Sequence, residues 1–336
     1  MNGNHSDNDS PLDREWHDNG IRQCKNVFYE TYKKNPQNAA ALLNDRNLTF
    51  PCLFIFMPQI KSLRLQSLLN LRNATAAKIV NRILRGEEAS DRNNNFTFWG
   101  NNAQSVLKWM IETGGLEDGL EDNDHDDYEE VLDISASVLI NVYKDASILP
   151  AVTDMLFQRY KKGGNIHTLV WSVFSAHEPA VLHLIAERLR SPDRQEAELA
   201  CNLLNIKIEG NRDLSAECQE KYEAFLQWIK ENHLFLSFTD ENLQFASNPV
   251  FCKVDLERKY IHKANSSHTG QVAAISESME KKCLHDFAPL SREEKTTLAD
   301  YSCKMYNQDV SRWGEWIQRP VDEQLKTCRA GLEGKK

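Results

Sequence analysis

Alternate aspartates in an acidic stretch are the first residues whose spacing could bind a metal. Asp122, Asp124 and Asp126 have the 1-3-5 spacing of the oxygen ligands in an EF-hand calcium loop. Such a loop also needs Gly at its sixth position and a bidentate Glu at its twelfth, and both positions hold aspartate here. We therefore predict a solvated acidic loop over 116–127; a loose cation site or a contact with a basic partner is the alternative.

Cysteine and histidine near the C-terminus could bind zinc or supply a nucleophile. Cys283 and His285 lie two positions apart, with Asp286 beside them and Cys303 further along the chain. Zinc sites usually show two close pairs of ligands, and this sequence has no Cys-x-x-Cys. A Cys–His nucleophile would also need an orienting group, which this segment does not show. We interpret these residues as buried or incidental.

A second histidine pair and a glycine pair also fall short of catalytic motifs. His183 follows His177 by six residues, so the two do not share a helix face as in His-Glu-x-x-His. Gly163-Gly164 lacks the Lys-Ser/Thr that completes a phosphate-binding loop. The sequence predicts no catalytic residue, no cofactor and no metal.

Two groups of side chains are suited to binding a macromolecule. Tryptophan and arginine are frequent anchors of protein interfaces. The C-terminal group contains Arg312, Trp313, Trp316 and Arg319, with Tyr306 nearby. Trp313 and Trp316 lie three apart on one predicted helix face, and we favour a structural role in which they seal the end of a helical body.

The other group is a basic segment, 61–85, which contains no acidic residue. Its two predicted helices, 62–70 and 74–84, would form an α-hairpin that ends at Arg85-Gly86. Its cations could bind nucleic acid, or they could form a solvated face or pair with the acidic loop of this chain. The basic residues are Lys61, Arg64, Arg72, Lys78, Arg82 and Arg85.

Composition limits the classes of protein that fit. The 336 residues carry a net charge of −9, which disfavours non-specific binding to nucleic acid. No apolar run reaches the roughly 20 residues of a membrane helix, and the polar N-terminus does not resemble a secretory signal. The eight cysteines have no short-range pattern, which is typical of free thiols in a reducing compartment. We predict a cytoplasmic protein that does not contact membranes.

Apolar residues at helical spacing predict a mainly α chain. The segment 48–58, rich in proline and aromatic residues, is predicted to be a short strand or a buried extended link, and 234–239 and 248–254 are predicted to be extended. Helices are predicted at 14–34, 103–112, 128–145, 150–162, 166–176, 179–190, 193–206, 214–233, 291–307, 309–318 and 321–330. The predicted regions are a disordered N-terminus (1–13), an N-terminal helical region (14–115), the acidic loop (116–127), helical repeats (128–233), and an extended wrap with a C-terminal helical cap (234–336).

A near-repeat lies within the predicted repeat region. The segments 150–160 and 179–189 both begin with Pro-Ala-Val, carry apolar residues at helical spacing, and have Arg at the tenth position (Arg159 and Arg188). Short helices with proline at their starts and short connections resemble the HEAT and armadillo class of α-solenoids, with a shorter unit. This resemblance implies a stacked scaffold that binds another macromolecule on one face, and no shared catalytic residue.

The predicted fold is therefore an irregular α-solenoid of antiparallel helix pairs with an elaborated C-terminal cap. The predicted function is that of a non-enzymatic scaffold or adaptor that binds a protein partner through the helical repeats or the aromatic C-terminal region. One alternative is a nucleic-acid-binding protein that uses the basic segment 61–85. The other is an enzyme assembled from distant residues, which a deep pocket with convergent polar groups and a perturbed carboxylate, His or Cys would indicate.

Overall fold

A computed structural model describes residues 9–87, 102–116, 120, 122–207, 214–264 and 276–333. Over these residues the chain is predominantly α-helical, as the apolar periodicity predicts. None of the described helices is both long enough and apolar enough to cross a membrane. The helices are α1 (Pro11–Lys34), α2 (Pro36–Leu43), α3 (Phe50–Ile55), α4 (Met57–Ser62), α5 (Leu71–Ile83), α6 (Ala103–Gly114), α7 (Asp122–Asn141), α8 (Leu149–Lys161), α9 (His167–Ser175), α10 (Ala180–Glu187), α11 (Arg194–Leu203), α12 (Leu214–Asn232), α13 (Leu256–Tyr260), α14 (Glu277–Phe287), α15 (Arg292–Gln308), α16 (Val310–Trp316) and α17 (Val321–Glu333); two strands, β1 (Leu236–Phe238) and β2 (Cys252–Val254), lie between α12 and α13.

The chain divides into two compact units, and the division passes through the predicted repeat region. The first unit comprises Met1–Ile185, Asp193–Leu199 and Asn242–Ser247. The second comprises Ala186–Pro192, Ala200–Glu241 and Asn248–Lys336.

The proline-rich segment of the first unit corrects one prediction. Residues 48–58 are not extended, because α3 and α4 occupy most of this segment. Pro51 and Pro58 each lie in the first turn of a helix, where a missing N–H removes no hydrogen bond. All six residues of α3 are buried, whereas only Ile60 of α4 is, so α3 is a core helix and α4 lies at its edge. A continuous apolar run carries no period, and this is why the sequence did not distinguish the two structures.

The predicted α-hairpin over 61–85 is also wrong. The chain leaves α4 through Arg64, whose φ of +55° is left-handed, and passes through a 3-10 turn over Gln66–Leu68. The side chain of Asn70 accepts a hydrogen bond from the N–H of Asn73 and so begins α5 as its N-cap. Only the second predicted helix of the pair exists.

The acidic loop is shorter than predicted, because α7 begins at Asp122. Asp122, Asp124 and Asp126 therefore lie on a helix, whereas an EF-hand needs a loop backbone around the ion. Residues 117–119 and 121 lie outside the described residues.

The near-repeat corresponds to α8 and α10, and α9 packs against both α7 and α8. Arg159 of α8 is buried and forms ion pairs with Glu129, at 3.1 Å, and with Asp133, both on α7. These ion pairs join two neighbouring helices of the first unit.

The second unit contains a two-stranded sheet and a group of C-terminal helices. β1 and β2 are antiparallel, with Leu236 opposite Val254, which confirms the two predicted extended segments. Ser291 and Glu294 form a capping box at the start of α15. Twelve buried residues between Tyr260 and Cys328 form the core of these helices.

Candidate functional site

An apolar groove of about 620 Å³ lies beside α5 in the first unit. Ala77, Val80 and Leu84 line the groove at positions i, i+3 and i+7. This spacing places Ala77 and Val80 on one face of α5 and continues that face to Leu84, the C-cap of the helix. Phe54 and Ile60 bring further apolar surface from α3 and α4. Leu84 remains 40% exposed, so the groove presents apolar surface to solvent.

Cations lie alongside the apolar face. Lys78, Arg82 and Arg85 follow the spacing i, i+4 and i+7 beside the apolar residues, and Lys61 comes from α4. Two carboxylates, Glu87 and Asp127, also line the groove, and the four cations therefore leave an excess charge of +2. The lining combines an apolar face with a basic edge.

The two lysines and two arginines of this edge have different partners. Arg82 Nε lies 4.0 Å from Glu87, and Arg85 Nη1 lies 3.6 Å from the same carboxylate. Lys61 and Lys78 are exposed, and neither forms an ion pair with any residue that the structure describes. An anionic ligand could therefore pair with the two lysines without competing with a carboxylate of the described residues, whereas at the two arginines it would compete with Glu87.

The structure divides the predicted basic residues into two sets. Lys61, Lys78 and Arg82 meet at the groove, whereas Arg64 is exposed but does not line it. The guanidinium of Arg72 donates to the carbonyl oxygens of Asp45 and Arg46, and it lies 4.3 Å from the centre of the Trp109 ring. Arg72 is thus used within the fold.

The predicted C-terminal cluster is divided in the same way. The side chains of Trp313 and Trp316 are buried, with 0% and 2% of their surface exposed. Trp313 Nε1 donates to Ser302 Oγ at 2.7 Å. Arg312 and Arg319 are exposed. A partner could contact these two arginines but not the two indoles, which belong to the core of the second unit.

The remaining Cys and His candidates do not assemble into a site. Cys283 is buried, its Sγ donates to the carbonyl of Ile317, and burial raises the pKa of its thiol. His177, His183 and His285 are exposed. No group of three or more His, Cys, Asp or Glu residues in the described ranges could hold a metal ion.

A polar cleft of about 600 Å³ in the second unit was not apparent from the sequence. Lys259 is buried at its base, and its Nζ donates to Asn232 Oδ1 at 2.6 Å and to Asp300 Oδ1 at 2.5 Å. These residues belong to three different helices and are far apart in the chain, so no local pattern could have shown them together.

His262 lines the same cleft and is the perturbed histidine that an enzyme hypothesis would require. Its ring stacks on Tyr306 at 3.5 Å and meets Phe235 edge-on, and its φ of +51° is left-handed. Neither ring nitrogen has a hydrogen-bond partner among the described residues, and burial lowers the pKa of the imidazole to about 4. Burial also raises the pKa of the neighbouring Cys303 thiol.

These properties do not support catalysis in the cleft. A nucleophilic Cys needs a thiolate or a hydrogen-bonded base, and a general base needs an orienting partner. Here burial raises the pKa of the Cys303 thiol, and no hydrogen bond from the described residues orients the imidazole of His262. The cleft is better described as a groove between helices that Lys259 joins through hydrogen bonds to Asn232 and Asp300.

The burial of His262 predicts a loss of stability in acid. The pKa of the folded-state imidazole, about 4, lies below the pKa of an unfolded His, about 6.5. The folded state is therefore most stable, with respect to this group, above about pH 6.5, and it loses stability as the pH falls from there toward 4. When the pH is lowered from about 7.5 to about 4.5, the unfolding free energy of the native chain should fall further than that of His262→Phe. The difference between the two losses should be about 2 to 3 kcal/mol. Urea unfolding at both pH values measures this difference.

The exposed His285 provides the control for this comparison. His285→Phe makes the same substitution at an exposed position, so the acid sensitivity of this variant should equal that of the native chain. Equal acid sensitivity of His262→Phe and the native protein would show that His262 does not cause the effect. Lys259 and Asp300, which line the same cleft, are unchanged in both variants.

Comparison of this chain with protein-family models, with curated proteins and with solved structures finds no match. The class of helical-repeat proteins is therefore supported only by the pattern of helices. The groove and the cleft are the features from which a function can be inferred.

Proposed function

We propose that the protein is a non-enzymatic adaptor, and that the groove beside α5 binds an amphipathic helical segment of a protein partner. The observation that carries this proposal is the groove lined by Leu84, which is 40% exposed, next to the largely buried side chains of Ala77 and Val80. Proteins that bind helices use an apolar groove for anchors spaced i, i+3 or i+4, and i+7 on the partner. A volume of about 620 Å³ lies within the range of binding pockets.

A protein helix suits this lining better than a nucleic acid does. Phosphate groups gain little from the apolar part of this lining, whereas the apolar anchors of a helix can pack against it. Arg72, which the nucleic-acid hypothesis counted as a free cation, is bonded to backbone carbonyls.

We also infer that the helices within 128–185 form a short HEAT-like or armadillo-like array of antiparallel pairs. Support comes from the near-repeat in α8 and α10 and from the packing of α9 against both α7 and α8. Adaptors of this class commonly bind partners along helical surfaces. We place the protein in the cytoplasm because all eight cysteines are free thiols, six of them buried.

A displayed library of random peptides tests the proposed function with the complete chain as bait. Peptides of about 16 residues span about 24 Å as a helix, which is long enough to place three anchors. We expect selection of peptides with apolar residues at i, i+3 or i+4, and i+7. A library that yields no binding peptide would contradict the proposal.

Two leucines with equal exposure provide a matched pair of variants for the selected peptides. Leu84 lines the groove and Leu68 does not, and each is 40% exposed. Leu84→Asp should weaken peptide binding by about tenfold or more, because it places a charge against the apolar anchors. Leu68→Asp should change binding by less than about twofold. Fluorescence anisotropy measures both dissociation constants, and equal binding by the two variants would show that the groove is not the site.

A further inference from the structure

We propose that the helix bound in the groove is acidic and carries carboxylates one turn apart beside its apolar anchors. This inference rests on the proposed function and specifies the chemistry of the partner. It follows from the charges that line the groove and from their spacing along α5.

The basic edge runs along the end of α5 and into the turn that follows it. Lys78 and Arg82 lie one turn apart on α5, and Arg85 lies beyond the last residue of the helix, Ile83. Lys78 and Arg85 each follow a residue of the apolar row, Ala77 and Leu84 respectively. A helix whose apolar residues meet the apolar row would therefore present its adjacent positions to the cations. Asp or Glu at those positions would pair with them, and Lys or Arg there would be repelled.

The excess charge is local and opposes the charge of the whole chain. The groove lining carries +2 while the protein carries −9. Long-range attraction by the complete protein would favour a basic ligand, but charges beyond about 10 Å are screened at physiological salt. The groove cations therefore decide which partner binds at close range.

Lys61 and Lys78 are the principal determinants of this preference. Both are exposed, and neither is neutralised by an ion pair with the described residues. Arg82 and Arg85 already share Glu87 at 4.0 and 3.6 Å, so a carboxylate of the partner must compete with that residue. Substitution of the two lysines should consequently change specificity more than substitution of either arginine.

Selection and charge reversal test the inference together. From the random library, the native chain should enrich peptides rich in Asp and Glu next to the apolar anchors. Lys61→Glu/Lys78→Glu should bind such a peptide about tenfold or more weakly, because two attractions become two repulsions. The same variant should select basic peptides from a fresh library.

The exposed cations of α1 provide the charge-matched control. Arg22→Glu/Lys34→Glu changes the net charge by the same amount in the same unit, and neither residue lines the groove. This variant should bind the acidic peptide within about twofold of the native chain. Raising the salt from about 50 to 300 mM should weaken the native complex more than the complex of the lysine variant.

The outcomes separate this inference from the proposed function. Suppose that the selected peptides are neutral or basic and that Leu84→Asp weakens their binding. The inference of an acidic ligand would then be wrong, and the groove would remain the helix-binding site. Failure to select any peptide would overturn both. A fluorescein-labelled single-stranded oligonucleotide is the competing probe. If its binding is lost in Lys61→Glu/Lys78→Glu and retained in Leu84→Asp, the site binds nucleic acid and the inference is wrong.

Discussion

Replacement of Trp313 by alanine is expected to destabilise the second unit by about 4 to 5 kcal/mol, enough to unfold many single domains. The indole is completely buried and packs edge-on against Tyr306 with ring centres 5.0 Å apart. Its Nε1 donates to Ser302 Oγ, which in turn donates to the carbonyl of Tyr260 at 2.5 Å. Alanine therefore leaves a cavity and removes one link of a buried hydrogen-bond chain.

Urea unfolding followed by circular dichroism measures this loss. Arg312→Ala, at the neighbouring exposed position, should change the unfolding free energy by less than about 0.5 kcal/mol. The pair distinguishes a core residue from an interface anchor, because an anchor on the surface would affect partner binding and not folding. An unfolding midpoint for Trp313→Ala that equals that of the native chain would contradict the burial of the indole.

Replacement of Arg159 by methionine is expected to cost about 3 to 5 kcal/mol at neutral pH, because it leaves two partly buried carboxylates without the buried cation that they share. Arg159 pairs with Glu129 at 3.1 Å and with Asp133, and its own side chain is 5% exposed. Burial raises the pKa of Asp133 to about 6, against the opposing effect of the Arg159 guanidinium. Without that guanidinium, ionisation of Asp133 becomes still less favourable.

The loss of unfolding free energy in Arg159→Met should be larger at high pH than at low pH, because the pKa of Asp133 is raised. Because the folded-state pKa is raised above its ordinary value, protonated Asp133 favours the folded state in acid, and this contribution is lost as the pH rises through about 6. The variant should therefore differ from the native chain less at about pH 5 than at about pH 7.5. Adding Asp133→Asn should restore part of the stability at the higher pH. Urea unfolding at the two pH values measures both effects.

The matching position of the near-repeat provides the control. Arg188 is the tenth residue of the second copy, as Arg159 is of the first, but it is only half-buried. Arg188→Met should cost about 1 kcal/mol or less, since solvent screens the interactions of a half-exposed arginine. Equal losses at Arg159 and Arg188 would show that the buried ion pairs do not cause the larger effect.

The near-repeat shows which elements can be predicted from local sequence signals. The helices α8 to α12 were predicted within a few residues, because their apolar spacing, their prolines at helix starts and their short connections are all local signals. The capping box of α15 and the extended segments of β1 and β2 were equally local. The prediction failed at 48–58 and 62–70, where an aperiodic apolar run and an unexpected left-handed residue decided the path of the chain.

The candidate sites depended on information that local sequence does not contain. The sequence identified a basic segment, and the fold then placed Lys78 at a groove and Arg72 against backbone carbonyls. It identified two tryptophans with the composition of an interface, and packing buried both. Lys259 and His262 carried no signal at all, because the cleft joins them to residues of distant helices.

The sequence by itself therefore determined where most helices form and which side chains are charged or apolar, since propensity, capping and periodicity act over a few residues. Only the tertiary structure decided which of those side chains remain available for binding. Burial, ion pairing and the formation of a groove depend on contacts between residues far apart in the chain, and two identical residues, such as Arg159 and Arg188, can therefore have different roles.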